Sequence, residues 1–210
     1  MQRICVFCGS NSGNSAGYRV AAADLGRQLA ERRIALVYGG SNVGLMGALA
    51  DSVLQAGGDA IGVIPRSLVD REVAHRGLPD LRVVETMHER KALMADLADG
   101  FVAMPGGYGT FDELCEILAW AQLGIHSKPV GWLNTLGYWD PFLQFLDHAA
   151  AAGFLKPAHR QLIEVRPTAN ELLELLLTVK PLTAEPKWME REIRYPSSNE
   201  VPADLAGRDR

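Results

Sequence analysis

One stretch of the sequence decides the fold: Gly100-Phe101-Val102-Ala103-Met104-Pro105-Gly106-Gly107-Tyr108-Gly109-Thr110. The first five residues are typical of a short buried strand, and the glycines end it just before a helical pattern that begins at Thr110. Elsewhere in the chain, short β-branched runs alternate with longer amphipathic stretches in the same way. This alternation is typical of a parallel sheet covered by helices on both faces. The sequence therefore predicts an α/β, three-layer fold with a mostly parallel sheet of about seven strands.

The same pattern gives the bounds of the predicted elements. Strands are expected at residues 3–8, 35–38, 60–64, 81–84, 100–104, 129–133 and, weakly, 162–165. Helices are expected at residues 16–33, 44–57, 87–98, 110–124, 141–152 and 169–179. Residues 1–180 are predicted to form one domain, and residues 181–210 are predicted to be a Pro-rich, charged tail that buries little surface.

The composition argues against two broad classes of function. With 48% hydrophobic residues, the chain still carries no apolar run near the roughly 20 residues that span a bilayer, so no membrane role is predicted. A formal net charge of −4 gives no basic field that would attract nucleic acid. The N-terminus enters a strand without the zones of a secretory signal, which predicts a cytoplasmic protein.

The cysteines and histidines indicate neither a disulfide scaffold nor a metal site. Cys5, Cys8 and Cys115 are an odd and sparse set. Cys5 and Cys8 have the spacing of a redox dithiol, but they lie along a predicted strand, where residues three apart point to opposite faces. Buried packing is therefore predicted for both. The five histidines form no zinc-ligand pattern with the cysteines, and neither a metal nor a cofactor is predicted.

The glycines that follow residues 100–104 predict a phosphate-binding loop. Glycine lets the backbone approach an anion closely, and the free N–H groups of a helix N-terminus provide donors and a favourable dipole. We therefore expect Gly106, Gly107, Tyr108, Gly109 and Thr110 to hold a phosphate. No Lys-Ser or Lys-Thr pair follows, so a monophosphate fits this loop better than a triphosphate with magnesium. The alternative is a tight turn that binds nothing.

Two other predicted strands also end in glycine, at Cys8-Gly9-Ser10 and at Tyr38-Gly39-Gly40. Ligands of open α/β sheets bind beyond the carboxyl ends of the strands. We therefore expect the site at this edge, with Ser10 and Gly40 among its contacts. Gly44 and Gly47 follow the second of these turns, and the sequence leaves open whether they contact the ligand or allow close packing.

The charged residues near these loops each have two interpretations. Thr110 and Glu113 fit a Thr-x-x-Glu capping box, but a carboxylate one turn from a bound phosphate also lies where a glycosidase needs a base or a negative charge. Arg90 and Lys91 lie early in the helix that precedes the glycine-rich strand. Most such pairs are solvated, yet arginine can also fork onto phosphate or hydroxyl oxygens.

Two separated motifs now carry a family resemblance. Pro105 to Glu113 (PGGYGTFDE), preceded by Met87-His88-Glu89-Arg90-Lys91, resembles the LOG (Lonely Guy) family of cytokinin riboside 5′-monophosphate phosphoribohydrolases. The similarity extends from Cys5 to about Val179. Related proteins have been labelled lysine decarboxylases, but no lysine here is marked as one that would hold pyridoxal phosphate.

The resemblance implies a Rossmann-like fold, a homodimer with its sites near the subunit interface, and hydrolysis of a nucleoside 5′-monophosphate. The reaction would release the free base and leave ribose 5-phosphate. The base would be an N6-prenyladenine, and also adenine if AMP is accepted. Arg90 and Glu113 match the catalytic pair of the family, and Glu72, Lys91 and the residues Gly107 to Thr110 match its ligand-binding positions. The competing expectation is a noncatalytic nucleotide-binding or carrier protein on the same fold.

Overall fold

The computed structural model describes residues 1–69 and 74–179 of the chain. Glu72 and the predicted tail at residues 181–210 lie outside the described residues. The strands are β1 Arg3–Phe7, β2 Ala35–Tyr38, β3 Ala60–Pro65, β4 Asp80–Val84, β5 Gly100–Ala103, β6 Val130–Leu133 and β7 Ile163–Arg166. The helices are α1 Ala16–Glu31, α2 Gly44–Gln55, α3 Arg66–Val69, α4 Met87–Leu97, α5 Tyr108–Gln122, α6 Asp140–Ala151, α7 Pro157–Arg160 and α8 Ala169–Thr178.

The seven strands form one sheet in the order β4-β3-β2-β1-β5-β6-β7, and every pairing between them is parallel. The predicted α/β fold is therefore confirmed, and the sheet is parallel throughout its described strands rather than mostly so. The chain first builds outward from β1 to β4 and then returns to add β5 on the other side of β1. Beyond the carboxyl ends of β1 and β5, this reversal opens the crevice in which doubly wound sheets bind ligands.

The core lies on both faces of the sheet, because neighbouring residues of a strand point to opposite sides. Ile4, Val6 and Cys8 belong to the cluster under α1, α2 and α8. Cys5 and Phe7 belong to the cluster that also contains side chains of α4 and α5. Cys5 and Cys8 are thus free, buried and on opposite faces, as predicted, and burial raises the pKa of both thiols.

The predicted bounds all agree with the structure to within two residues, and the elements that were not predicted are short or irregular. These are α3, α7 and a turn of 3-10 helix at Thr135–Gly137. The predicted start of α5 is two residues too late, because Gly107 in extended backbone is the N-cap of that helix and not Thr110. Within the described ranges, no helix has the length and hydrophobicity that crossing a bilayer requires.

Candidate functional site

A cleft of about 880 Å³ opens beyond the carboxyl ends of the central strands. Its walls are the loops after β1, β2 and β5, the starts of α2 and α5, and side chains from α1, β3, α3, α4 and the turn after β6. The cleft therefore occupies the crevice that the strand order creates. Its lining residues are Cys8 to Gly13, Tyr18, Gly39, Ser41, Val43, Leu45, Met46, Ile64, Leu68, Arg90, Pro105 to Thr110, Glu113 and Tyr138.

The glycine-rich loop, Gly106 to Thr110, presents an uncapped helix N-terminus to this cleft. No side chain in the described part of the chain caps α5, whereas Ser15 and Thr86 cap α1 and α4 through their hydroxyl oxygens. The first N–H groups of an α-helix have no acceptor within the helix. A Cβ added at Gly107 or Gly109 would meet no atom of residues 1–69 or 74–179 within 4 Å. The loop therefore leaves both donors and space at the position where the sequence predicted a phosphate.

Hydrogen bonds and close contacts lock the loops of the cleft to one another. The amide of Gly9 donates to the carbonyl of Pro105 at 3.0 Å, and the amide of Leu45 donates to the carbonyl of Gly9 at 3.0 Å. Gly44 has a φ of +62°, and a Cβ there would lie 2.3 Å from the carbonyl of Ser10. Gly44 therefore allows these two loops to pack closely against each other.

Arg90 and Glu113 form a buried ion pair at the cleft. Nη1 of Arg90 lies 3.1 Å from Oε1 of Glu113, and the two side chains are only 10% and 8% exposed. Nε of Arg90 donates to the carbonyl of Val63 at 3.1 Å, which fixes the guanidinium at the end of β3. A Cβ at Gly39 would lie 2.0 Å from Nη2, so the glycine after β2 makes room for the guanidinium. Arg90 is therefore a buried group of the cleft and not a solvated surface charge.

The environment of Glu113 favours a role other than helix capping. Burial raises the pKa of Glu113 above its ordinary value, and Arg90 opposes this rise by its charge while Asp112 adds to it. A Thr-x-x-Glu pattern does cap a helix in this chain, at Thr86 and Glu89, where the Thr86 hydroxyl accepts from the Glu89 amide at 3.1 Å. At α5 that geometry is absent, because the side chain of Glu113 pairs with Arg90. Titratable groups in such an environment are candidates for chemistry.

Lys91 is turned away from the cleft toward the acidic residues of α5. Its Nζ lies 3.0 Å from Asp112 and 3.2 Å from Glu116. Burial lowers the pKa of Lys91, but the hydrogen bonds to these two carboxylates outweigh it and raise the pKa above its ordinary value. Lys91 thus ties α4 to α5.

Apolar side chains form part of the wall of the cleft. Leu45 and Met46 come from the first turn of α2, while Ile64 and Leu68 come from β3 and α3. Planar and aliphatic ligand groups pack on such a surface. In residues 1–69 and 74–179, no cluster of three or more His, Cys, Asp or Glu side chains could hold a metal ion.

The structure brings most of the predicted site residues together. Arg90, Glu113, Ser10 and the loop Gly106 to Thr110 all line the cleft. Lys91 and Gly40 do not line it. Gly40 lies behind the cleft, where a Cβ would be 3.1 Å from Ile64 and from Leu81. Their predicted ligand contacts, and that of Glu72, stay predictions.

Several lining residues were missed from the sequence. Asn11 and Ser12 follow Ser10 in a polar loop, and that run of small polar residues after a strand is the signal that could have indicated them. Tyr18 and Tyr138 come from α1 and from the turn after β6, and no spacing in the sequence links them to the glycine-rich loop.

Residues 46–176 match the family described as "Possible lysine decarboxylase". A pyridoxal phosphate enzyme needs a lysine that can reach the cofactor. No lysine is among the described residues that line the cleft, and Lys91 is held by Asp112 and Glu116. The described residues therefore do not fit that cofactor.

Curated plant proteins are similar over most of the chain. A protein of Oryza sativa subsp. japonica named cytokinin riboside 5′-monophosphate phosphoribohydrolase LOG is 54% identical over 172 residues, which cover 82% of this chain and 71% of that protein. The Arabidopsis thaliana protein of that enzyme name, LOG7, is 47% identical over 205 residues, which cover 95% of this chain and 94% of that protein.

Solved structures show the same fold at lower identity. The molybdenum cofactor carrier protein of Chlamydomonas reinhardtii matches with a TM-score of 0.64 and 23% identity, over 84% of this chain and 98% of that one. The molybdenum cofactor binding protein of Rippkaea orientalis matches with a TM-score of 0.63 and 20% identity, over 83% of this chain and 94% of that one. At this identity the likeness concerns the Rossmann-like fold alone, whereas the plant proteins reach about half identity across nearly the whole chain. The chain therefore belongs to the LOG family of cytokinin riboside 5′-monophosphate phosphoribohydrolases.

Proposed function

We propose that this protein is an N-glycosyl hydrolase that cleaves cytokinin riboside 5′-monophosphates into an N6-prenyladenine and ribose 5-phosphate. The names of its relatives support this substrate class. The observation that carries the proposal is the buried pair of Arg90 and Glu113, which lies in the same cleft as an uncapped helix N-terminus. One end of that cleft suits a phosphate, and the other offers charged groups to a sugar.

The phosphate would bind at the start of α5. The free amides from Gly107 to Thr110 would donate to its oxygens, and the dipole of a 15-residue helix favours an anion at this end. Glu113 lies five residues beyond Tyr108, or about 7.5 Å along the helix axis at the usual rise of about 1.5 Å per residue. This span allows the ribose to extend from the phosphate loop to the carboxylate.

Glu113 and Arg90 would act on the ribose. When the bond between C1′ and N9 breaks, its electron pair leaves with the base and positive charge develops on the ribose. The carboxylate of Glu113 can stabilise this oxocarbenium character, orient a ribose hydroxyl, or take a proton from the water that attacks C1′. Arg90 would position the substrate and balance charge as the base departs. The ion pair keeps Glu113 oriented in a setting where burial alone would favour the neutral acid.

The base would lie on the apolar wall formed by Leu45, Met46, Ile64 and Leu68. An adenine ring with an aliphatic N6 group gains more from this wall than adenine alone, because each buried methylene contributes about 0.8 kcal/mol. We therefore expect a prenylated substrate to be preferred, with AMP as a weaker substrate of the same site.

We also propose that the protein is a cytoplasmic homodimer. The outer face of α5 and its C-cap exposes Tyr108, Asp112, Cys115, Ala119 and, at the cap, Leu123 at helical spacing, and all but Asp112 are apolar or small. Tyr108 is 92% exposed. Such a stripe suits close packing against a second copy, and it begins at the phosphate loop. The free cysteines suit a reducing compartment.

The test is base release from isopentenyladenosine 5′-monophosphate, followed by chromatography for the wild type, Arg90→Ala and Glu113→Gln. We expect release by the wild type and a loss of about 100-fold or more in each variant, in line with the removal of one preorganised charged group. Circular dichroism and thermal unfolding confirm that each variant is folded. Saturable binding of AMP by the wild type without base release would instead favour the carrier function.

A further inference from the structure

The turn after β6 places Tyr138 against the glycine-rich loop. The amide of Asn134 donates to the carbonyl of Arg166 at 2.8 Å, and its side-chain oxygen accepts from the amide of Trp139 at 2.8 Å. Between these two anchors, Leu136 adopts a φ of 57°, a left-handed conformation that is costly for a residue with a branched side chain. These hydrogen bonds thus hold the strained turn at both of its ends, just before Tyr138.

The hydroxyl of Tyr138 donates a hydrogen bond to the carbonyl of Gly106. The preceding carbonyl, of Pro105, is held by the Gly9 amide. In a planar trans peptide the N–H points opposite to the C=O, and the described residues contain no cis bond. The hydrogen bond that fixes the Gly106 carbonyl therefore also fixes the direction of the Gly107 N–H, the first donor of the open helix N-terminus.

Glycine makes this support necessary. Gly107 is the N-cap of α5, and no side chain of the helix caps it. A Cβ at Gly107 would contact none of the described atoms within 4 Å, so the Gly107 side of the peptide is open, whereas Gly106 packs closely against Thr110 and Gly9. Because glycine has the widest backbone freedom of any residue, the direction of the Gly107 N–H depends on the hydrogen bonds that the peptide makes.

We propose that Tyr138 is a positioning residue that orients the Gly106–Gly107 peptide for binding of the substrate phosphate. This inference rests on the proposed function, which names the substrate. The property that it concerns is the affinity of the glycine-rich loop for a phosphomonoester. The aromatic ring has a separate packing role, because it contacts Tyr18 edge-on at 6.0 Å and Trp139 at 5.1 Å between ring centroids. The hydroxyl alone carries the positioning.

The variant Tyr138→Phe tests this role because it deletes the hydroxyl and keeps the ring. Titration calorimetry on the full chain measures the Kd for ribose 5-phosphate and, separately, for adenine. We expect the Kd for ribose 5-phosphate to rise about tenfold, as for the loss of one well-aligned hydrogen bond to a charged group. The Kd for adenine should stay within about twofold of the wild type, because the apolar wall is untouched.

Tyr38→Phe is the matched control. Tyr38 is fully buried, does not line the cleft, and its hydroxyl has no hydrogen-bond partner among the described residues. The same atom is therefore deleted from the interior without touching the loop, and both Kd values should be unchanged.

An unchanged Kd for ribose 5-phosphate in Tyr138→Phe would overturn the inference, and so would an equal loss of affinity for both ligands, which would indicate a structural role of the tyrosine. A wild type that binds ribose 5-phosphate but releases no base would contradict the proposed function and leave this test intact. A wild type that binds no ribose 5-phosphate would contradict both.

Discussion

Replacing Gly39 by alanine should displace the Arg90 guanidinium and remove most of the activity while the protein stays folded. The new Cβ would lie 2.0 Å from Nη2 of Arg90 and 3.1 Å from the sulfur of Met46. Gly39 does not have a left-handed φ, so the backbone itself accepts alanine. The conflict is therefore confined to the side chains that meet at this point.

The size of the displacement follows from the contact distances. Ordinary van der Waals contact begins near 3.4 Å, so Nη2 must retreat by about 1.4 Å. Arg90 is held at 3.1 Å by the Val63 carbonyl and at 3.1 Å by Glu113, and a shift of that size breaks at least one of these contacts. Misplacement of a catalytic group by about 1 Å costs on the order of 100-fold in rate, or about 2.7 kcal/mol. Overpacking should lower the free energy of unfolding by about 1–3 kcal/mol.

The assay combines the kcat/KM for base release with thermal unfolding. Gly77→Ala is the control, because Gly77 lies in an exposed turn and its Cβ would meet the His75 ring at 3.3 Å, away from Arg90. We expect Gly39→Ala to lose about 100-fold in kcat/KM and the control to retain its activity. If Gly39→Ala kept more than about half of the wild-type kcat/KM, the position of the guanidinium would not matter to catalysis, which would contradict the role given to Arg90.

Three further predictions address the phosphate loop, the carboxylate and the dimer. Gly109→Ala should raise the KM for the monophosphate about tenfold, because the new methyl group occupies the space of the anion, and it should stabilise α5 by about 0.5 kcal/mol, because alanine favours the helix. An unchanged KM would mean that the loop is only a turn. Burial raises the pKa of Glu113 above its ordinary value of 4.5. If the carboxylate is the active form, kcat/KM should therefore rise with pH, with the midpoint of the rise above pH 4.5. A midpoint at or below that pH would contradict this role. Ala119→Glu places a charge in the exposed stripe of α5, so it should sediment as a monomer where the wild type sediments as a dimer.

The fold could be predicted from the sequence because its signals are local. β2 was predicted at residues 35–38 and is observed at Ala35–Tyr38, since a short apolar run bounded by a turn and by glycine has one favourable conformation. The start of α5 was wrong because Thr110 carries a strong cap signal, while Gly107 caps the helix with its backbone alone. Here the local preference of a side chain was overridden by the shape of the loop.

The candidate site was predicted only in part, because its geometry is built from contacts between distant segments. On sequence spacing alone, a residue in the position of Arg90 is usually solvent-exposed. Only the packing of α4 on β3 shows that Gly39 and Val63 enclose its guanidinium. The motif resemblance, not spacing, singled out Arg90 and Glu113 together. Tyr138 had no signal at all, since its link to Gly106 spans 32 residues and depends on a strained turn.

The most direct test of phosphate recognition at the start of α5 compares isopentenyladenosine 5′-monophosphate with the unphosphorylated riboside as substrates of the wild-type protein. If the start of α5 binds the phosphate and so places the ribose at Glu113 and Arg90, kcat/KM should be at least about 1,000-fold higher for the monophosphate, which corresponds to about 4 kcal/mol of binding energy from the phosphate. Equal kcat/KM values for the two compounds, or base release from neither, would contradict a phosphoribohydrolase that acts through this loop.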